Sequence, residues 1–184
     1  MPDVPDGFAD FIAARSPSLL RAAWLLTGDA GKAEDLLQTA LTLAWERWAR
    51  ISRGGDPEAY IRKVLYTTYL TWWRRRWRGE LPSGTLPDTA AAADLADESA
   101  TREVVGRALA RLSGRQRAVV VLRFGEDRSI ADTAALLGCT AGTVKTQTSR
   151  ALAVLRTDAD LLSLLVQGGL VVPFTRILRI EKAA

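Results

Sequence analysis

Two stretches of the sequence hold residues whose types and spacing suit nucleic-acid chemistry. Between Ala141 and Arg156 a polar and basic set, Thr143, Lys145, Thr146, Gln147, Ser149 and Arg150, recurs at helical spacing. Hydroxyls, an amide and cations in that array reach phosphates and base edges in a major groove. The second stretch, Leu70-Thr71-Trp72-Trp73-Arg74-Arg75-Arg76-Trp77-Arg78, interleaves indoles with guanidinium groups. Unpaired bases stack on indole faces, and arginine tracks the backbone of a single strand. Each has a bland alternative: a helical hairpin that only packs, and core tryptophan beside a solvated basic face. Trp72 is expected in the core, with Trp73 and Trp77 exposed.

Other chemistries are excluded by composition. The chain has no histidine and one cysteine, Cys139. That removes Cys/His zinc sites, serine–histidine triads, histidine general bases and any disulfide within the chain. No phosphate loop of the GxxxxGK type is present, so an enzyme on this scaffold would depend on carboxylates alone. No cofactor or metal is expected. The first twenty residues carry Asp3, Asp6 and Asp10 and lack the basic segment and apolar run of a secretory signal. The longest apolar stretch, Leu161 to Phe174, is interrupted by Ser163, Gln167, Gly168, Gly169 and Pro173, and falls short of the roughly 20 residues a spanning helix needs. The expectation is a soluble cytoplasmic protein with no membrane partner.

Positioning these residues requires a scaffold, and 184 residues with 48% hydrophobic content suffice for one large core or two small ones. The net charge of +4 hides alternation along the chain. Residues 1–56 carry 6 basic and 8 acidic side chains, and residues 57–80 carry 6 and 2. Residues 85–103 carry 1 and 5, and residues 104–156 carry 9 and 3. Two basic blocks separated by an acidic spacer suit two polyanion-binding surfaces on a tether, or two ordinary solvated helical faces.

Helical periodicity runs through both halves and strand alternation through neither, so the fold class is all-α, with two small helical domains joined by a flexible linker. Phe8, Phe11, Ile12, Leu19 and Leu20 mark an opening helical region, expected to be interrupted near Pro17. Asp29 is placed to cap a helix whose apolar stripe is Ala33, Leu36, Leu37, Ala40, Leu41, Ala44, Trp45 and Trp48. The loop Ser52-Arg53-Gly54-Gly55 leads to Asp56-Pro57-Glu58, an N-cap, a first-turn proline and a first-turn acid. From there a helix of roughly 30 Å runs to about Arg78, with Ile61, Val64, Leu65 and Thr68 inward. Residues 81–100 read as an acidic linker able to reach about 60 Å.

In the second half, Val104, Val105, Ala108, Leu109 and Leu112 define one helix, and Ser113 caps another with Val119, Val120, Leu122 and Phe124. Ser129 caps a short helix, Ile130 to Leu137, and a last strong helix runs from about Ala141 to Arg156. A helix-turn-helix needs a small residue where its helices cross, a glycine with positive φ in the turn, and an apolar lock on the second helix. Ala134, Gly138 and Val144 stand at those spacings, with Cys139 expected as a small buried filler.

At this point the residues resemble a known family, the extracytoplasmic-function (group 4) sigma factors of the sigma-70 family. Leu109-Ala110-Arg111-Leu112-Ser113-Gly114-Arg115-Gln116-Arg117-Ala118-Val119-Val120-Val121-Leu122-Arg123-Phe124 is similar to the family's region four, as is Ser129 through Leu155. Ala33-Glu34-Asp35-Leu36-Leu37-Gln38 is similar to region 2.2, and Pro57 through Val64 with Arg74-Arg75-Arg76 to regions 2.3 and 2.4. The resemblance implies a sigma domain 2 over residues 1–80, the linker over 81–100, a sigma domain 4 over 101–156 and a C-terminal extension over 157–184. It implies that Asp35, Gln38, Thr39, Thr42 and Glu46 meet the clamp helices of the largest subunit of core RNA polymerase, whose second-largest subunit offers a flap as a further contact. The loop Ser52–Asp56, with Arg53, Gly54 and Asp56, together with Lys63 and Thr67, would hold a flipped base of the −10 element. Such capture offsets the few kcal/mol of unpairing without ATP. Trp73, Arg74, Arg75, Arg76 and Trp77 would follow the single strand, and Thr143, Lys145, Thr146, Gln147, Ser149 and Arg150 would read duplex −35 DNA. The linker acids Asp88, Asp94, Asp97 and Glu98 would lie in the polymerase's RNA exit path.

Three positions depart from the family's usual residues: Thr67 for asparagine, Thr71 for aspartate and Asp132 for glutamate. The chain ends Lys182-Ala183-Ala184, and a terminal Ala183-Ala184 resembles tags read by bacterial ATP-dependent proteases; a frayed end of small residues is the alternative. The expected function is an alternative sigma factor, not itself an enzyme, found in the bacterial cytoplasm with the nucleoid; an anti-sigma factor is a further implied partner. A stand-alone helix-turn-helix regulator is the competing reading, and a duplex reader has no use for a single-strand surface.

Overall fold

The computed structural model describes residues 5–77 and 96–166, in which every regular element is helical. The chain divides into two compact units, Met1–Gly84 and Thr85–Ala184.

The first unit is built on α1 (Phe8–Thr27), α2 (Ala30–Trp45), α3 (Trp48–Gly54) and α4 (Pro57–Trp77). α1 ends at Gly28 in the left-handed region (φ 72°), and one residue later the Asp29 carboxylate accepts from the Lys32 N–H at 2.8 Å to start α2. α1, α2 and α4 pack against one another around Leu19, Leu26, Leu36, Ile61, Leu65 and Tyr66, all essentially without solvent exposure.

Several expectations change here. α1 is continuous through Pro17. The ring is exposed to solvent, the Ser18 hydroxyl donates to the Arg15 carbonyl at 2.9 Å, and burial of Leu19, Ala22, Ala23, Leu25 and Leu26 holds the second half of the helix on the core. α2 stops at Trp45 instead of running to Trp48. Trp48 instead packs edge-on to Phe8 at 4.9 Å, and its indole N–H donates to the Asp6 carbonyl at 2.8 Å, so the chain turns at Glu46-Arg47 and restarts as α3. Ser52, Arg53 and Gly54, expected in a loop, are helical, which leaves Gly55 and Asp56 as the connection. The inward side of α4 also takes in Tyr66 and Tyr69, whereas Val64 and Thr68 are half-buried.

The second unit comprises α5 (Ala96–Ala110), α6 (Gly114–Val120), a π-helical segment Val121–Gly125, α7 (Ile130–Leu137), α8 (Ala141–Leu155) and α9 (Ala159–Val166). α5 begins inside the stretch read as linker, because Ala96, Asp97, Glu98 and Ala100 combine good helix formers with first-turn acids. Both serine caps form as the sequence indicates: Ser113 with Gln116, and Ser129 with Asp132, each pair bonding reciprocally. Leu109, Leu112, Val119, Leu122, Val144 and Leu155 are the centre of this core. α9 packs on α5 through Leu161, and Arg107–Asp160 (3.4 Å) and Arg111–Asp158 (3.2 Å) flank it.

Between α7 and α8, Gly138 adopts φ +60° and its N–H bonds to the Ala134 carbonyl. A Cβ there would meet nothing within 4 Å, so the cost of Gly138→Ala is conformational alone, about 1–2 kcal/mol. Urea unfolding followed by helical circular dichroism should show that loss.

Candidate nucleic-acid interface

α8 carries the sharpest surface. Val144, Ala151, Leu152 and Leu155 are buried against α6 and α7. A helix rotated by those four contacts presents Lys145, Thr146, Ser149 and Arg150 to solvent, with Thr143 and Gln147 half-exposed at the edges. Thr140 caps the helix by accepting from the Thr143 N–H at 3.1 Å, and its hydroxyl also meets that of Thr143 at 3.0 Å. Thr146 bonds back to the Gly142 carbonyl. No side-chain hydrogen bond or ion pair is present at Lys145, Gln147, Ser149 or Arg150 among the described residues, so these donors remain available. Ala134 is buried at the crossing and Cys139 is half-buried; as part of the turn itself, Cys139 sits at the edge of the core.

On α2, Asp35, Gln38, Thr42 and Glu46 are exposed and Thr39 half-exposed, opposite the buried Ala33, Leu36, Leu37, Ala40 and Ala44. Their spacing makes one polar stripe along the helix. The Thr39 hydroxyl is spent on the Asp35 carbonyl at 2.8 Å.

On α4, Lys63, Thr67, Thr71 and Arg74 form a stripe over three turns, with Arg75 exposed beside it. Thr67 donates to the carbonyls of Lys63 and Val64, Thr71 to that of Thr67, and Arg74 to the Thr71 hydroxyl at 3.4 Å. The Asp56 carboxylate accepts the backbone N–H groups of Glu58 and Ala59, at 2.9 and 3.1 Å, and so caps α4. Trp72 and Trp73 are both half-buried, and Trp73 tilts against Tyr69 with centroids 6.2 Å apart. Neighbours on a helix lie about 100° apart, so both flank the buried stripe that ends at Tyr69; neither the core place expected for Trp72 nor the free one for Trp73 holds. Arg76 and Trp77 close the helix. An open depression of about 590 Å3 takes in Arg53 and Gly54 with Glu46, Arg47, Ala49 and Arg50. Asp56, Lys63 and Thr67 are not in its lining.

Two features escaped the sequence reading. Glu58 bridges Arg15 of α1 (3.2 Å) and the buried Arg62 (2.8 Å), tying the start of α4 to its neighbour. Arg47 donates to the Tyr60 hydroxyl at 2.6 Å. The i, i+4 spacing of Glu58 and Arg62 could have suggested the first pairing; the second depends on the turn at Glu46-Arg47. Ala183, Ala184, Asp88 and Asp94 lie outside the described residues.

An all-helical chain of two units, one of them built on a capped helix-turn-helix, is the class these elements define. "Sigma-70 region 2" matches residues 11–79 and "Sigma-70, region 4" residues 102–155. The RNA polymerase sigma-E factor of Streptomyces avermitilis is 42% identical over 83% of this chain and 85% of its own length. The ECF RNA polymerase sigma factor SigM of Mycobacterium tuberculosis is 34% identical, over 72% and 67% respectively. Among solved structures, the sigma factor RpoE of Bartonella quintana, in complex with the anti-sigma factor NepR, superposes with a TM-score of 0.60 at 28% identity, over 85% of this chain and 97% of that one. The chain belongs to the extracytoplasmic-function sigma factors of the sigma-70 family. Region 2 falls in the first compact unit and region 4 in the second, and α9 lies beyond the region 4 match.

Asp132 shows how the departure at this position is accommodated. Its carboxylate accepts from the Ser129 hydroxyl at 2.6 Å and the Ser129 N–H at 3.3 Å, and those bonds, helped by Arg128, hold its pKa below the ordinary aspartate value. The folded state therefore favours the ionised form, so its contribution is full above the ordinary pKa of about 3.9 and fades as pH falls through the lower folded value. Asp132→Asn should lower the melting temperature of the second unit at pH 6, and its difference from wild type should shrink steadily below about pH 4 in a thermal melt series.

Proposed function

We propose that this chain directs core RNA polymerase to a promoter class, with α8 reading duplex −35 DNA, α4 and the preceding Arg53–Asp56 segment holding the melted −10 strand, and the polar stripe of α2 docking on the polymerase clamp helices. The observation that carries this reading is the exposed, unengaged set Lys145, Ser149 and Arg150 on a capped helix inside the region 4 match. Supporting it, the α4 stripe Lys63-Thr67-Thr71-Arg74 and the half-buried indoles of Trp72 and Trp73 lie inside the region 2 match on the same chain. A stand-alone regulator would account for the first surface and leave the second without a purpose.

In this reading residues 1–80 act as domain 2, 101–156 as domain 4 and 81–100 as their connection, with residues 157–184 an extension beyond domain 4. The chain is no enzyme; the polymerase carries the chemistry. Its site of action is the bacterial cytoplasm, with the nucleoid, and no described helix is long and apolar enough to cross a membrane. An anti-sigma factor is a further partner, by analogy with the complex of the Bartonella quintana relative.

Co-elution of the full chain with bacterial core polymerase, then sequencing of the transcripts that the mixture makes from genomic DNA, tests the whole reading. A common pair of upstream elements should emerge; a folded chain that binds DNA but not polymerase would return the stand-alone regulator. Lys145→Ala and Arg150→Ala should each weaken binding to the upstream duplex by about 1–3 kcal/mol per lost base contact, measured by fluorescence anisotropy. Trp73→Ala should leave that affinity intact while reducing permanganate reactivity of the melted strand. Equal loss of both would mark a folding defect.

A further inference from the structure

Arg47, Arg50 and Arg53 stand at i, i+3 and i+6 at the start of and along α3, with no carboxylate between them. All three are exposed and line the open depression of about 590 Å3 together with Glu46, Ala49 and Gly54. Two of them are already held. Arg47 donates from Nη1 to the Tyr60 hydroxyl at 2.6 Å, and Arg53 from Nε to the Ala49 carbonyl at 2.8 Å, which leaves the Arg53 Nη groups open. Arg50 makes no side-chain hydrogen bond or ion pair among the described residues. Glu46 is the single carboxylate of the lining, against three guanidinium groups. A Cβ on Gly54 would meet nothing within 4 Å, so the backbone at that end of the ridge is open to a close neighbour.

We propose that Arg47, Arg50 and Arg53 form a phosphate-holding ridge for the backbone of a single nucleic-acid strand, one that reads no base. The proposal rests on the single-strand role given above to α4, and adds Arg47 and Arg50 to it. α3 passes into α4 through Gly55 and Asp56 alone, and Arg47 reaches Tyr60, which lies on the same face of α4 as Thr67, so the ridge adjoins the start of the Lys63–Thr67–Thr71 stripe. Guanidinium groups grip phosphate oxygens bidentately and stay charged at any working pH. Six residues of helix rise about 9 Å, enough for at least two phosphates of a strand. Holding Arg47 and Arg53 before the strand arrives reduces the side-chain freedom lost on binding. Three guanidinium groups against one carboxylate around an open depression are a surplus of positive charge that suits successive phosphates of a backbone.

The test uses the full chain assembled with core polymerase. Its probes are a fluorescent single strand with the non-template −10 sequence of a promoter that this holoenzyme transcribes, and a scrambled strand of equal length. Arg50→Gln should weaken both strands alike, by about fivefold at 0.1 M salt, and lower the slope of log affinity against log salt by about 0.7, the value for one phosphate contact on a single strand. Arg50→Gln with Arg53→Gln should about double the change in slope. Co-elution with core polymerase and affinity for the upstream duplex should be unchanged, which also shows that the variants fold. An unaltered slope overturns the ridge while leaving the α4 reading in place. Loss confined to the −10 sequence overturns it in favour of base reading, and loss of co-elution at unchanged strand affinity overturns it in favour of a protein contact. If the wild-type holoenzyme holds neither strand, the α4 reading and the ridge fall together.

Discussion

Each candidate surface of this protein is what remains of a helix once its apolar side has been buried. On α8 that constraint rests on Val144, which has no solvent exposure and sits one turn after the Thr140 cap. With Val144 and Ala151 locked into the core, the angular position of every other residue on the helix follows from 3.6 residues per turn. Lys145, Ser149 and Arg150 are outside for that reason alone. α2 obeys the same arithmetic through Leu36 and Ala40, and α4 through Ile61 and Leu65.

Rotation about the axis is one degree of freedom; position along the axis is another, and the helix ends set it. Asp29, Asp56, Ser113, Ser129 and Thr140 each accept backbone N–H groups that would otherwise lack partners, so the first turns begin at defined residues. Glu58 adds a lateral tie, because its two oxygens hold Arg15 and the buried Arg62 together. A buried arginine without its carboxylate is costly, so the Glu58–Arg62 pair is the strong part of this tie, and the exposed Arg15 of α1 adds little.

Most of this architecture was legible because caps and periodicity are local properties. The helix-turn-helix was read with its boundaries nearly unchanged: Ser129, Ala134, Gly138 and Val144 announce it through short-range chemistry. Errors arose where a distant contact outweighed a local preference. Pro17 reads as a breaker, yet with five buried residues after it α1 continues unbroken. Trp48 reads as the end of α2, yet the attraction of Phe8 and the Asp6 carbonyl, some forty positions earlier, redirects the chain. The same redirection creates the Arg47–Tyr60 pair and turns an expected loop into α3, so the polar surface beside α4 was the least legible part of the candidate site. The surface of α8 was the most legible, since nothing outside its own unit is needed to define it.

α9 blurs the edge of a module. The region 4 match stops at residue 155, but Asp158 caps α9 through the Leu161 N–H while also holding Arg111, and Leu161 is as buried as the central leucines of the unit. The physical domain is therefore longer than the shared one. Those few residues lay a second hydrophobic seam along α5, closed by Leu161 and flanked by two arginine–aspartate pairs.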